Sequence, residues 1–119
     1  MVEQSTEAGP TRLTIDSSAD PDGAVRLVLA GEVDLTTAGA LEGAVQNAER
    51  GNPAAIVLDM DQLSFIDSSG LRVLLLAARR GQRVRRRLVL VNVSRSIRRV
   101  LELTALDRTL LIADAGDRT

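Results

Sequence analysis

The sequence predicts an α/β fold in which a small mixed β-sheet of four to five strands carries helices packed on it. Apolar, strand-like runs alternate with segments whose apolar residues recur at helical spacing. The first two strand-like runs are joined by a short turn, which favours antiparallel pairing. The later runs are separated by helices, and strand–helix–strand units give parallel strands with right-handed crossovers. Together these patterns indicate a sheet with both kinds of pairing.

The first half of the chain predicts two paired strands, a helix and a third strand. The turn between the paired strands is the segment Asp20-Pro21-Asp22-Gly23, and Gly51-Asn52-Pro53 stops the helix. The predicted elements are, in order, a partly exposed strand containing Leu13 and Ile15, a strand over 25–31, a helix that Thr36 or Thr37 caps, and a strand over 55–60.

The second half predicts two more helices and two more strands. The elements are a helix from Ser68 to Arg80 that Gly81 ends, a nearly all-apolar strand over 87–93, a helix that Ser94 caps, and a short strand over 110–113. The apolar character of 87–93 is typical of a strand buried on both faces. We expect one domain over 12–113, with a flexible N-terminal tail over 1–11 and a C-terminal tail over 114–119.

Composition removes most catalytic chemistry. The chain has no cysteine and no histidine, so thiolate nucleophiles, imidazole bases and the commonest metal ligand are missing. It contains no phosphate-cradling glycine loop, and its acids lie on separate loops without a calcium-binding spacing. Phe65 is the only aromatic residue, which argues against a stacking platform for single-stranded nucleic acid. We therefore expect no enzyme, no catalytic residues, no metal and no cofactor.

Nothing in the sequence predicts a membrane protein. No apolar run approaches the ~18 residues that a spanning helix needs. The N-terminal segment lacks the basic-then-apolar order of a signal peptide. These features predict a cytoplasmic protein.

The segment Ile66-Asp67-Ser68-Ser69-Gly70 marks the turn from the third strand to the second helix. An acid and two hydroxyls stand there at a helix N-terminus, where each can accept a hydrogen bond from a free backbone N–H. A serine in that place is reachable by a partner, and a helix N-terminus tolerates a phosphate. From these residues alone Ser68 is either a helix cap or a phosphate acceptor.

In open α/β sheets, sites lie beyond the carboxyl ends of the strands. That rule places Asp34, the Asp67–Ser68 turn and the Ser94 turn at one end of the domain.

The segment around Ser68 resembles the phosphorylation loop of the bacterial anti-sigma factor antagonists, which carry the STAS domain. The family pattern is an apolar residue, Asp, Ser or Thr, Ser, Gly, Leu and usually a second Gly, and Arg72 replaces that second glycine here. The segment over 31–34 resembles the family's Gly-Glu-Leu-Asp, and the segment over 89–106 resembles its last strand–helix unit. The resemblance covers 12–113 and implies a STAS-like fold.

The resemblance also implies regulation of transcription by partner switching. In that family the unmodified protein binds an anti-sigma factor that is also a serine kinase, and binding releases a sigma factor. The kinase phosphorylates the motif serine, and a serine phosphatase reverses the reaction. By position, Ser68 is the phosphorylated residue, with Ser69 as the alternative, and Asp34 and Asp67 to Gly70 belong to the partner-binding surface.

Three further residues extend the predicted partner-binding surface along the second helix. Arg72, Leu76 and Arg79 stand at one helical spacing, away from the apolar face formed by Leu71, Leu74, Leu75 and Ala78. An arginine at position 72 either obstructs a partner or pairs with a phosphate or an acidic partner residue.

Two other functions remain open. One is a STAS subunit of a transporter or stress-signalling scaffold complex without a phosphorylation switch. The other is an arginine-driven nucleic-acid binder, since six arginines crowd the segment 79–87. Arginines are also favoured near a helix C-terminus for structural reasons, and we expect no direct nucleic-acid binding.

Overall fold

The computed structural model describes residues 12–113, so both predicted tails lie outside the described residues. Strands and helices alternate along the chain after an initial pair of strands. The elements are β1 (Leu13–Ala19), β2 (Val25–Val33), α1 (Ala38–Glu49), β3 (Ala55–Ile66), α2 (Ser68–Val84), β4 (Arg87–Val91), α3 (Arg95–Leu103), a 3-10 turn (Leu106–Arg108) and β5 (Leu111–Ile112).

The strands form one sheet whose spatial order, β1-β2-β3-β4-β5, follows the sequence. β1 and β2 are antiparallel, while β2 to β5 are parallel. The antiparallel pair closes through the predicted turn, in which the backbone N–H of Asp20 donates to the carbonyl of Ala24 at 2.8 Å. The predicted mixed α/β sheet is confirmed.

The core lies on one face of the sheet. Leu27, Leu58 and Leu90 are register neighbours on β2, β3 and β4, and all three are buried. The helices add buried residues to the same cluster: Leu41, Val45, Leu74, Ile97 and Leu101. Along β4 the other face is only half-buried, at Val89 and Val91. The prediction that this strand is buried on both faces is therefore wrong.

β3 is longer than the predicted strand over 55–60, since it runs on to Ile66. The polar residues Asp61, Gln62 and Ser64 interrupt the apolar pattern, but backbone pairing with β2 continues through them. That pairing contains two register shifts, the second between Gly31 and Glu32. Gly31 has φ +115°, and a Cβ there would overlap the backbone of Arg12.

α2 continues through Gly81 to Val84, although Gly81 was predicted to end it. Arg85, in the left-handed conformation with φ 61°, terminates the helix instead. Gly81 is required for a different reason, because a Cβ there would overlap the carbonyl oxygen of Arg86. The chain folds back at this point, and the backbone N–H of Arg86 donates to the carbonyl of Gly81 at 2.8 Å.

The remaining element ends differ by a few residues. β4 stops at Val91 because Asn92 has φ 58°, which an extended strand does not accommodate. β5 contains only Leu111 and Ile112 of the predicted 110–113. The prediction for α3 is confirmed, since the Ser94 hydroxyl accepts a hydrogen bond from Ile97 N at 3.2 Å and the helix buries Ile97 and Leu101.

Candidate functional site

The loops that follow β2 and β3 are held side by side. Val33 and Ile66 are register partners at the ends of these parallel strands. The next residue after Ile66, Asp67, donates its backbone N–H to the Val33 carbonyl at 3.0 Å. Asp34 and Ser68 therefore start from one shared edge of the sheet, as the sequence predicts.

The Ser94 turn does not join this edge. β4 ends at Val91, which pairs with Asp59, whereas β3 continues past Asp59 to Ile66. Each strand residue advances the chain by about 3.3 Å, so the Ser94 turn is set back along the sheet. The prediction that it shares one end of the domain with Ser68 is wrong in this respect.

Asp67 caps α2. Its backbone is extended, and its Oδ1 accepts hydrogen bonds from the backbone N–H groups of Ser69 at 2.8 Å and Gly70 at 3.4 Å. Two of the helix's free N–H groups are thereby satisfied by the residue that precedes Ser68. The interpretation in which Ser68 serves as the cap does not match this geometry.

Ser68 is the first residue of α2, and its side chain is exposed. Its hydroxyl makes no hydrogen bond with any other residue in 12–113, whereas Ser69 is half-buried. Of the two candidate hydroxyls, Ser68 is therefore the more accessible to an enzyme.

Gly70 has a packing function in the first turn of α2. A Cβ on Gly70 would lie 2.6 Å from Cγ1 of Val33 and 2.6 Å from Cγ1 of Ile66. Because Gly70 has no side chain, the start of α2 lies directly on the ends of β2 and β3. Gly70 is buried, and its membership of a partner-binding surface stays a prediction.

Asp34 organises the loop between β2 and α1. Its Oδ1 accepts hydrogen bonds from the hydroxyl of Thr36 at 2.7 Å and from the backbone N–H of Thr36 at 2.9 Å. Its Oδ2 forms an ion pair with Arg12, which also donates to Glu32 at 2.9 Å. The Thr36 hydroxyl, followed by the Thr36 backbone and the charge of Arg12, lowers the pKa of Asp34 below its usual value. Asp34 is thus an ionised residue that holds the loop beside Ser68 in place.

Thr37 occupies the N-cap position of α1, yet its hydroxyl makes no capping hydrogen bond to the helix. Instead it donates to the carbonyl of Glu32 at 2.9 Å and accepts from the backbone N–H of Asp34, also at 2.9 Å. The prediction that Thr36 or Thr37 caps α1 is therefore wrong about the side chain. Both threonines stabilise the Asp34 loop.

Two of the three α2 residues that were predicted to face outward are exposed. Arg72 and Arg79 are exposed, whereas Leu76, which lies between them on the helix, is half-buried. The apolar face is also displaced from its predicted position, because Val73 and Ala77 are buried and Leu75 is only half-buried. Arg72 and Arg79 can contact a partner without disturbing the core.

Two exposed apolar residues next to the site escaped the sequence interpretation. Leu35, directly after Asp34, is 81% exposed, and Phe65, directly before Ile66, is 46% exposed. Each carried a signal, since Leu35 is an apolar residue within a polar loop and Phe65 is the only aromatic residue. Exposed apolar residues are typical of protein-binding surfaces when they form a contiguous patch, and these two flank the candidate turn.

The structure divides the arginines of 79–87 into two groups. Arg80 and Arg86 reach back to α1, where Glu49 lies 3.0 Å from Arg80 and 3.8 Å from Arg86. The other four, Arg79, Arg83, Arg85 and Arg87, are exposed. Part of the cluster therefore fixes α2 to α1.

Residues 12–113 contain no group of three or more acidic residues arranged to hold a metal ion. Within that same range no helix is both long and apolar enough to cross a membrane.

A five-stranded mixed sheet, helices on one face and a capped Asp-Ser-Ser-Gly turn at the sheet edge define a STAS domain. The model of the STAS domain family matches residues 17–117, and the chain belongs to this family.

The similar proteins carry related names. The chain is 35% identical over 103 residues to the anti-sigma-F factor antagonist RsfB of Mycobacterium tuberculosis, covering 86% of this chain and 82% of that protein. It is 33% identical over 93 residues to the putative anti-sigma factor antagonist BtrV of Bordetella bronchiseptica, covering 78% of each. The crystal structure of an anti-sigma factor antagonist from Mycobacterium paratuberculosis superposes with a TM-score of 0.80 at 29% identity, covering 93% of each chain.

Proposed function

We propose that this protein is an anti-sigma factor antagonist controlled by phosphorylation of Ser68. The unphosphorylated form binds an anti-sigma factor that is also a serine kinase, and this binding releases a sigma factor. Phosphorylation of Ser68 ends the binding, and a serine phosphatase restores it. The observation that carries the proposal is the exposed hydroxyl of Ser68, which no residue of 12–113 engages, at the start of a helix that Asp67 caps.

The local structure can accept a phosphate on Ser68. A helix N-terminus favours negative charge, and the cap hydrogen bonds belong to Asp67, so no capping contact has to break. A phosphate adds about −1.5 to −2 charges at neutral pH. We expect the folded domain to persist and its surface to change.

The added charge acts on a surface that already contains the carboxylates of Asp34 and Asp67. Exposed Leu35 and Phe65 supply apolar contacts next to it, and exposed Arg72 supplies a cation at the start of the second turn of α2. A partner that contacts these groups must desolvate a doubly charged phosphate once Ser68 is modified. That desolvation, together with repulsion from acidic partner residues, weakens the complex.

The proposed activity is binding, without catalysis, cofactor or direct contact with nucleic acid. The proposed anti-sigma partner controls a sigma factor, so the proposal includes a cytoplasmic location. The chain's lack of histidine and cysteine removes the imidazole base and the thiolate nucleophile that catalysis would use.

The first experiment tests the modified residue. The full chain is incubated with ATP and each candidate anti-sigma kinase of its genome, and its intact mass and phosphopeptides are measured. We expect one phosphate, on Ser68, which Ser68→Ala prevents and the matched control Ser69→Ala does not. Phosphate on Ser69 would reassign the site, and phosphate on neither residue would support a non-switching STAS subunit of a larger complex.

The second experiment tests the switch. Ser68→Ala should bind the anti-sigma partner like the unmodified protein. Ser68→Asp should retain the melting temperature but bind at least about tenfold more weakly, a loss of ~1.4 kcal/mol. Equal affinity of the phosphorylated and unmodified chains would contradict the proposal.

The third experiment tests the binding surface. Reversing both Arg72 and Arg79 to glutamate should weaken binding several-fold, because both side chains are exposed on one side of α2. The matched control is Arg99→Glu, an exposed arginine on α3. If the double variant binds with unchanged affinity, or if the control loses as much affinity, α2 is not part of the partner-binding surface.

A further inference from the structure

A cavity lies at the end of the domain opposite Ser68. It is a half-open pocket of about 270 Å³, bounded by the C-terminal part of α2, the start of β4 and the segment that leads into β5. Its lining includes Ala78, Arg85, Arg87, Leu88, Thr109 and Leu111. The lining begins at Ala78, ten residues after Ser68 on α2, so at about 1.5 Å per residue the cavity starts ~15 Å from Ser68, and Arg85 at the helix end lies ~25 Å away.

The cavity joins an apolar wall to a basic rim. Ala78 and Leu88 are buried and Leu111 is half-exposed, so these side chains present hydrocarbon to the cavity. Arg85 and Arg87 are exposed, and neither forms an ion pair with an acidic residue anywhere in 12–113. Within the same residues no acidic side chain belongs to the lining. An anion in the cavity therefore meets cations that no acid of 12–113 neutralises.

The rim is held in place by the turn that ends α2. Arg85 occupies the left-handed C-cap position, and the N–H groups of Arg85 and Arg86 both donate to the carbonyl of Gly81. The side chain of Arg86, which also lines the cavity, is only 9% exposed and lies 3.8 Å from Glu49. The backbone from which Arg85 and Arg87 project is thus fixed by packing and hydrogen bonds, so binding does not have to order that backbone.

We propose that this cavity binds a compact organic anion, with an acidic head held by Arg85 and Arg87 and an apolar body about the size of one aromatic ring. Guanidinium groups suit phosphate and carboxylate heads because they donate several hydrogen bonds in one plane. The volume sets the size, since pockets for drug-sized ligands begin at about 300 Å³. The site is separate from the Ser68 turn and does not depend on the proposed switch.

The test titrates three probes into the ¹⁵N-labelled full chain and follows amide chemical shifts. Phenyl phosphate carries both head and body, inorganic phosphate only the head, and phenol only the body. We expect phenyl phosphate to shift the amides around Arg85, Leu88 and Thr109 saturably, with the Ser68 turn unchanged. Its affinity should exceed that of inorganic phosphate at least about fivefold, and phenol should cause no saturable shift.

Variants separate this site from general attraction of anions to arginines. The double variant Arg85→Asn, Arg87→Gln should lose binding at least about tenfold, and asparagine tolerates the left-handed conformation at position 85. Arg83→Gln, which removes an exposed arginine of the same helix outside the cavity, should bind normally. Leu111→Ser should reduce phenyl phosphate binding to the level of inorganic phosphate.

Three results would overturn the proposal. They are no saturable shift with phenyl phosphate, shifts spread equally over Arg79 and Arg83, and equal losses in Arg83→Gln and the double variant. The unperturbed amide peaks of each variant report its folding. Phosphorylation of Ser68, measured on the same variants, should be unchanged, so this result stands apart from the outcome for the proposed function.

Discussion

Gly70→Ala tests whether the start of α2 is positioned by direct packing on the strand ends. The added Cβ would lie 2.6 Å from carbon atoms of both Val33 and Ile66, whereas carbon atoms pack best at ~3.5–4.0 Å. Val33 is 0% exposed and Ile66 is 3% exposed, so neither side chain has free space to move into. Overpacking of this kind costs about 1–3 kcal/mol, and alanine returns up to ~1 kcal/mol of helix propensity.

We therefore expect Gly70→Ala to lower the free energy of unfolding by about 0–2 kcal/mol, measured by urea unfolding and circular dichroism. The melting temperature should fall by about 3–6 °C per kcal/mol for a domain of this size. Gly43→Ala is the matched control, because Gly43 is an exposed helical glycine with no atom within 4 Å of the added Cβ. It should gain ~0.5–1 kcal/mol. A Gly70→Ala protein as stable as Gly43→Ala would refute the packing argument.

Substitutions at three other positions test the supports of α2 and of the Asp34 loop. Asp67→Ala should lose about 1 kcal/mol of stability in urea unfolding, because two backbone N–H groups of α2 lose their acceptor, while Asp67→Asn should lose less. Gly81→Ala should lose about 2–3 kcal/mol by the same assay, since a Cβ would overlap the rigid carbonyl of Arg86; an unchanged midpoint would contradict this. The lowered pKa of Asp34 predicts a contribution to stability that is complete at neutral pH and is lost as the pH falls below about 4 through the folded-state pKa. The difference in urea midpoint between the wild type and Asp34→Asn should shrink from pH 7 to pH 3, and a constant difference would argue against an ionised Asp34.

Local patterns predicted the elements that depend on local interactions. The Ser94 cap and the buried Ile97 and Leu101 follow from helical spacing and hydroxyl chemistry, which act within one turn. The place of Asp34 beside Ser68 followed from the rule that parallel strands present their carboxyl ends together. These features need only the order of elements and not their detailed packing.

Features that depend on contacts distant in sequence were missed. The extension of β3 to Ile66 relies on pairing with β2 through an irregular register, which no local pattern records. Gly81 has the sequence signature of a helix end. The position requires glycine for another reason, because the backbone of Arg86 folds back against the helix and leaves no room for a Cβ. The exposure of Leu35 and Phe65 likewise depends on which neighbours the fold supplies.

Because Asp67 caps α2, substitutions at Asp67 and at Ser68 should differ in their effect on folding stability. Asp67 accepts the hydrogen bonds that stabilise the first turn of α2, and the next residue, Ser68, carries the exposed hydroxyl that is available for modification. In a scan of all substitutions, most changes at position 67 should therefore lower the free energy of unfolding, whereas most changes at position 68 should leave it nearly unchanged. The proposed phosphorylation of Ser68 would then leave the lifetime of the protein unchanged, because unfolding-dependent degradation responds to the free energy of unfolding and not to the state of the exposed hydroxyl.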